Sequence, residues 1–259
     1  MLITFGRFPV SMARLTIMWL IVVGAWCVKA QSVGNDENRH ITPGEELLYT
    51  MNYGWFTIGK AEIFFDKEIW EVDDLSYYYL QCRVQTTGVF DFFTSTDICL
   101  ESWIDVESLR PKVSYRQVFF GRKMDIRTDR YDYTDSVTIS TYVEDVDRHQ
   151  VKKSDTITLD LLSTYLNLRE IIHQNIPSDT VFVKLHFSND FYPFGVVNSG
   201  SEKDGLTRIN LLFPESNQYK KGNDAYILVS ESLEVVPEKI VIELALGKLI
   251  FSLEDQRHY

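Results

Sequence analysis

From about residue 45 onward, apolar and polar residues alternate in short runs rich in Tyr, Phe, Val, Ile and Thr, separated by Gly, Asp, Asn, Ser and Pro. A period of two marks strands with one buried face. The pattern predicts strands at about 45–53, 57–66, 77–87, 97–104, 112–120, 123–133, 136–144, 180–187, 206–213, 226–233, 238–245 and 248–253. One segment departs from it. Across residues 160–174 (DLLSTYLNLREIIHQ), Leu161, Leu162, Tyr165, Leu166, Leu168 and Ile172 fall along one helical stripe, with Asp160 in place as N-cap. Many antiparallel strands with a single amphipathic helix predict a mainly β fold, either a single curved antiparallel sheet or an open β-barrel, with the helix covering the concave side.

The first thirty residues read differently. Residues 1–14 hold Arg7 and Arg14 and no acid, and the apolar run 15–28 (LTIMWLIVVGAWCV) is short for a bilayer span. Val28 and Ala30 supply small residues ahead of a cut before Gln31. Residues 1–30 are therefore read as a cleaved signal peptide, with an uncleaved anchor as the alternative, 31–43 as a polar linker and 44–259 as a single β-rich domain. Trp26 is too bulky for a lipoprotein processing site, so Cys27 leaves with the signal. This reading places the protein in the periplasm or on the envelope of a Gram-negative-type bacterium, with no stable membrane span after cleavage.

Charge narrows the partners. The chain has 26 basic and 37 acidic residues, a formal charge of −11. A nucleic-acid binder needs clustered Lys and Arg, so that class is excluded. Removing residues 1–30 takes Arg7, Arg14 and Lys29 and no acid, so the remaining 229 residues carry −14. Such a chain is not drawn to anionic headgroups by charge alone.

Export leaves Cys82 and Cys99 in an oxidising compartment. If strands 77–87 and 97–104 form a hairpin, opposed residues have numbers summing to about 181–183, which brings Cys82 opposite or diagonal to Cys99. A cross-strand disulfide and two separate thiols are both open readings, because the register decides between them.

Motifs for chemistry are sparse. The five histidines, His40, His149, His173, His186 and His258, stand at no metal-ligand spacing, so no metal site is expected. There is no nucleophile elbow, phosphate loop or dinucleotide fingerprint, and hence no cofactor is expected. Asp125, Asp129, Asp132 and Asp135 interleave with Arg122, Lys123, Arg127 and Arg130, which reads as a solvated strand face with cross-strand ion pairs rather than a calcium loop. Asp97, Glu101 and Asp105 recur every four residues and so share one face of a strand. Paired carboxylates there suit either glycosidase chemistry or structural hydrogen bonds. The excess is in aromatics. Trp55, Phe56, Phe90, Phe92 and Phe93, in or beside turns, together with Trp103, either rim an apolar cavity or plug the end of the barrel as core.

Several stretches carry a family resemblance: PGEELLYTMNYGWFTIGKAEI (43–63), TTGVFDFFTSTDICLESWIDVESLRPKVSYRQ (86–117), LDLLSTYLNLR (159–169), FSNDFYPFGVVNSGSE (187–202) and VVPEKIVIELALGKLIFSL (235–253). In order and spacing the chain resembles the exported bacterial family known as domain of unknown function 3108. The matching positions include Gly44, Glu45, Tyr53, Gly54, Gly59, Thr87, Gly88, Phe90, Asp91, Asp97, Glu101 and Asp105. Where members commonly carry a Trp and an Asp pair before the closing hairpin, this chain has YILVSESL (226–233). The resemblance implies an open β-barrel of the lipoprotein-carrier type and implies no activity.

The expected function is a non-catalytic, exported cell-envelope protein that holds a lipid or other apolar ligand in a half-open barrel. The alternative is a structural or assembly partner of other envelope proteins. A third reading is a glycan-acting hydrolase working through Asp97 and Glu101.

Overall fold

The computed structural model describes residues 41–88, 91, 95–134, 136–143, 148–174, 180–188, 190–202, 205–212, 225–230, 235–244 and 247–259. Its strands are β1 (Glu45–Tyr53), β2 (Phe56–Phe65), β3 (Trp70–Val72), β4 (Leu75–Thr86), β5 (Thr96–Asp105), β6 (Pro111–Phe120), β7 (Lys123–Asp132), β8 (Val137–Val143), β9 (Arg148–Ser154), β10 (Val181–Phe187), β11 (Asp190–Ser201), β12 (Leu206–Leu212), β13 (Ala225–Ser230), β14 (Pro237–Leu244) and β15 (Gly247–His258). One helix, α1 (Leu161–His173), stands between β9 and β10.

All these strands join one sheet, in the order β10-β11-β12-β13-β14-β15-β1-β2-β4-β5-β6-β7-β8-β9, with β3 paired to β4. The ladders run antiparallel, and neighbours in space are neighbours in sequence except where β15 returns to β1 and where β2 pairs with β4 past β3. That return places the last strand against the first, with Tyr259 donating to the Gly44 carbonyl at 3.1 Å. Gly44 has φ +91°, and a Cβ there would lie 2.9 Å from the Tyr259 carbonyl oxygen, so only glycine suits this closure.

Alternation is clearest in β5, whose burial alternates at every residue, with Ile98, Leu100 and Ile104 inward and Asp97, Cys99 and Glu101 outward. The inward faces of β1, β2, β4, β5 and β10 to β15 form one core with α1. The helix begins as the stripe predicts. Asp160 accepts from the Ser163 amide at 2.7 Å, and the Ser163 hydroxyl accepts from the Asp160 amide at 3.0 Å, a reciprocal cap that satisfies two amides. Leu162, Tyr165, Leu166 and Leu168 are then buried in the concave side of the sheet.

Among the described residues no ladder joins β9 to β10, so the sheet does not close into a barrel. Its ends overlap instead. Towards its C-terminal end β10 is buried on both faces: Leu185 and Phe187 belong to the main core, while His186 meets Tyr131 of β7. Tyr131, Val137 and Ile139 form a second, small apolar cluster with Tyr133 and with Phe191 of β11. Leu159 covers part of the β10 edge by donating to the Lys184 carbonyl and accepting from the His186 amide.

Three strands escape the sequence pattern. β3 has only three residues, all exposed. β9 (RHQVKKS) offers little apolar alternation and is held as an edge by β8. β11 carries Pro193 and Gly195, residues that argue against a strand unless a neighbour supplies the reason. Here the ring of Phe182 lies beside Gly195, within 3.3 Å of where a Cβ would stand.

Candidate functional site

The main core is apolar, but one cross-strand row on the inner face is not. Register places Ser102 of β5 opposite Ser114 of β6, Ser114 opposite Asp129 of β7, and Asp129 opposite Thr141 of β8. Four successive strands thus present a polar side chain at one level. Buried polar groups cost free energy unless paired, so packing alone does not account for such a row.

Pairing within it is thorough. The Thr141 hydroxyl donates to Asp129, and the Ser102 hydroxyl donates to Asp160 at 2.6 Å. Asp160 therefore caps α1 with one oxygen and takes Ser102 with the other. Full burial holds its carboxyl above the ordinary aspartate range, against the lowering effect of these bonds. One level away, Arg116 of β6 reaches Asp125 of β7 at 2.9 Å and lies over the Phe187 ring at 4.9 Å. Burial, with Arg127 beside it, pushes the Arg116 guanidinium down to about 10, so it remains charged at neutral pH.

His186 closes the cluster from β10. Its Nδ1 lies 3.2 Å from the Tyr131 hydroxyl and 3.6 Å from Asp129 Oδ2. The second distance is beyond hydrogen-bond reach, and burial outweighs the attraction of Asp129, so the imidazole is held below the ordinary histidine range. Beside it lies a cavity of about 30 Å³, bordered by Ser114, Arg116, Asp129, Asp160, His186 and Phe187. The group contains two aspartates and a buried imidazole, but its serine hydroxyls are committed. Ser102 donates to Asp160, and Ser114 bonds the Tyr131 hydroxyl. Neither is arranged as a nucleophile with a base. Among the described residues no group of three His, Cys, Asp or Glu side chains is disposed to hold a metal ion.

The residues singled out from sequence lie elsewhere. Trp55 and Phe56 stack at 3.7 Å between centroids on the tip joining β1 to β2, and Trp55 is 84% exposed. Among the described residues they belong to neither the core clusters nor the lining of the cavity described above. Trp103 alternates outward on β5 and packs on Tyr79 at 5.0 Å, on the opposite side of the sheet from the interior. Phe90, Phe92 and Phe93 lie outside the described residues.

Cys82 and Cys99 are free thiols, which corrects the disulfide reading. The residue sum across β4 and β5 is 182, setting Cys82 opposite Leu100 and Arg83 opposite Cys99. One step of pleat separates the two cysteines, so Cys82 points into the core and Cys99 outward towards Glu101.

The acidic run of β7 is corrected in part. Its ion pairs exist, Asp125 bonding both Arg116 and Arg127, but Asp125, Arg127 and Asp129 lie on the half-buried inner face rather than a solvated one. Asp132 turns outward and caps the following turn by accepting from Thr134, while Asp135 lies outside the described residues.

The family model described as "Protein of unknown function (DUF3108)" matches residues 48–254. The chain belongs to this family. Among solved structures, it is similar to the crystal structure of a beta-barrel-like protein of domain of unknown function DUF1849 from Brucella abortus, with a TM-score of 0.57 and 10% identity. That match covers 84% of this chain and 98% of the other, and it speaks to the fold alone. No curated protein matches the chain.

In this DUF3108 chain the motif residues serve the fold. Glu45 pairs with Arg169 in the core, and Gln256 donates to Glu45 at 3.2 Å. Asp97 receives two bonds from Arg83, Glu101 accepts from Gln81, and Asp105 accepts from the amide and hydroxyl of Ser108. Asp91 accepts from Thr86, and the Thr87 amide donates to the Ile58 carbonyl. Gly54 and Gly88 take φ of +60° and +64° in turns, and the Gly54 amide donates to the Lys248 carbonyl. Tyr53 packs beside Gly247. Asp97 and Glu101, the two carboxylates of the hydrolase reading, are engaged on the outer face by Arg83 and by Gln81.

The polar row itself escaped the sequence reading. Ser102, Ser114, Asp129 and Thr141 are ordinary residues on four separate strands, and only register aligns them. His186 stood between Leu185 and Phe187 in an apolar strand, where a polar residue on a face of its own was the available signal.

Proposed function

We propose that this DUF3108 protein is a non-catalytic, exported cell-envelope protein that acts by docking another envelope protein at its surface, rather than by carrying a lipid in its interior. The observation that carries this reading is the filling of the concave side. Leu162, Tyr165, Leu166 and Leu168 of α1 pack against strand residues where an acyl chain would have to lie. The cavity at His186, about 30 Å³, is an order of magnitude below the roughly 300 Å³ at which small-molecule pockets begin. The stacked Trp55–Phe56 tip supplies the docking contact, since an indole left 84% exposed presents a large apolar surface and Trp is a common interface anchor.

Native mass spectrometry of protein purified from envelopes, together with photo-crosslinking from position 55, tests this. The expected result is no stoichiometric lipid and a partner band from position 55 that is missing when the crosslinker stands at exposed Glu71. A bound lipid in stoichiometric amount, or equal crosslinking from both positions, overturns the reading.

A further inference from the structure

The overlapping ends of the sheet are joined by side chains, and the join centres on His186. Asp129 and Tyr131 of β7, Arg116 of β6, Lys152 of β9, Asp190 and Phe191 of β11, and Asp160 ahead of α1 surround it. Asp129 and Asp190 favour a charged ring and Lys152 and Arg116 oppose it, so burial decides and the ring is neutral. We assign the Tyr131 hydroxyl as the donor to Nδ1 of His186, 3.2 Å away, with the Ser114 hydroxyl as the other partner of Tyr131. The neutral ring then carries its own proton on Nε2. His186 is only 2% exposed, its Nε2 has no partner among the described residues, and the ring borders the cavity of about 30 Å³. That volume suits one or two waters and nothing larger.

We propose that this cavity is a built water site serving a pH-sensitive latch: water accepts from Nε2–H of neutral His186, and protonation at Nδ1 removes the bond from Tyr131 and releases the β10–β11 hairpin from β7 and β8. The other joins are apolar, cation–π or peripheral: Phe191 packs on the Tyr131, Val137 and Ile139 cluster, and Arg116 lies over the Phe187 ring at 4.9 Å. Lys152 and Asp190 meet at 3.0 Å, but Asp190 is 70% exposed, and exposed pairs hold little. Tyr133 donates to the Thr158 carbonyl at 2.7 Å, beyond the hairpin. Water in the cavity gives protons their route to a ring that is otherwise sealed. The proposal stands apart from the docking reading, since it concerns the isolated protein.

Hydrogen exchange of the full-length protein at pH 7 and pH 5, corrected for intrinsic rates, tests it. A histidine held below its unfolded value of 6.5 favours closure above that pH, and the favour is lost as pH falls. Opening of β10–β11 is expected to rise by up to tenfold per pH unit below 6.5 until the folded-state pKa is reached, and His186→Gln is expected to abolish the response. Unchanged or tighter protection in acid overturns the latch, because the second outcome means that Asp129 captures the imidazolium. An equal response in His186→Gln overturns it too, by assigning the effect to Asp160 or Asp129. Should that variant fail to fold, NMR titration of the wild-type ring decides, and a midpoint at or above 6.5 is the adverse result. A crystal structure at pH 7 is expected to show an ordered water at Nε2, and a dry cavity removes the water site.

Discussion

Arg169 of α1 grips Glu45, the first residue of β1 and 124 positions earlier in the chain, through both guanidinium nitrogens of its fork, and both side chains are nearly inaccessible to water. The Tyr165 hydroxyl, one helical turn back, accepts from the same guanidinium at 3.2 Å. The pair ties the helix to β1, the strand against which β15 returns. Breaking a buried pair on one side leaves an uncompensated charge, at a cost of about 3–5 kcal/mol. Arg169→Met and Glu45→Gln are each expected to lose that much in urea unfolding, with the double substitution recovering part of it. Additive losses show that the two residues act separately.

Gly59 lies where β2 approaches β4. A Cβ there would stand 2.3 Å from the Gln85 carbonyl oxygen and 2.4 Å from Met51 Cε. The methionine tip can move but the ladder backbone cannot, so Gly59→Ala is expected to cost about 1–3 kcal/mol by overpacking. Gly121, with open space around it, serves as the comparison, since any loss there comes from its positive φ alone. Equal losses at both sites argue against the close approach.

The thiols respond to pH in a defined way. Burial pushes Cys82 up to about 12, and burial with Glu101 nearby pushes Cys99 up to about 11. The thiolate is the reactive form, so alkylation of the folded protein at pH 8 is expected to be slow at both positions and to become fast in denaturant. Peptide mapping without reductant should find both cysteines as free thiols. A linked 82–99 peptide contradicts the opposite-face register.

Asp160 carries the pH dependence of the cap. Its folded-state pKa stands above the ordinary 3.8 because of burial, so its contribution is fully present below 3.8 and is lost as pH rises through the folded value. Asp160→Asn is expected to flatten that component of the stability profile while retaining an oxygen that can accept from the Ser163 amide. Asp160→Ala loses the cap as well, at about 0.5–2 kcal/mol. Urea midpoints measured from pH 4 to pH 7 separate the two effects, and identical profiles for wild type and Asp160→Asn rule out a raised pKa.

Much of the fold is written in local pattern. The helix and its Asp160 cap, and the alternation that turns Leu100 inward and Cys99 outward, follow from neighbours within a few residues. Strands such as β9 and β11 were hidden because what makes them strands is their partners, β8 for the one and β10 with β12 for the other. The polar site was hidden for the same reason. Glu45 and Glu101 look alike along the chain, yet one is sealed on Arg169 and the other sits on the outer face beside Cys99.

By itself the sequence determined a mainly β chain with the amphipathic helix over 160–174, in the family that its motifs indicate, and an acidic composition. Period and composition are properties of short stretches, so they survive without knowledge of contacts. Only the tertiary structure decided that Cys82 and Cys99 face apart, that α1 fills the concave side, and that the two ends of the sheet overlap at His186. These depend on register and on the rolling of the described strands, where a shift of a single residue exchanges the inner face for the outer one.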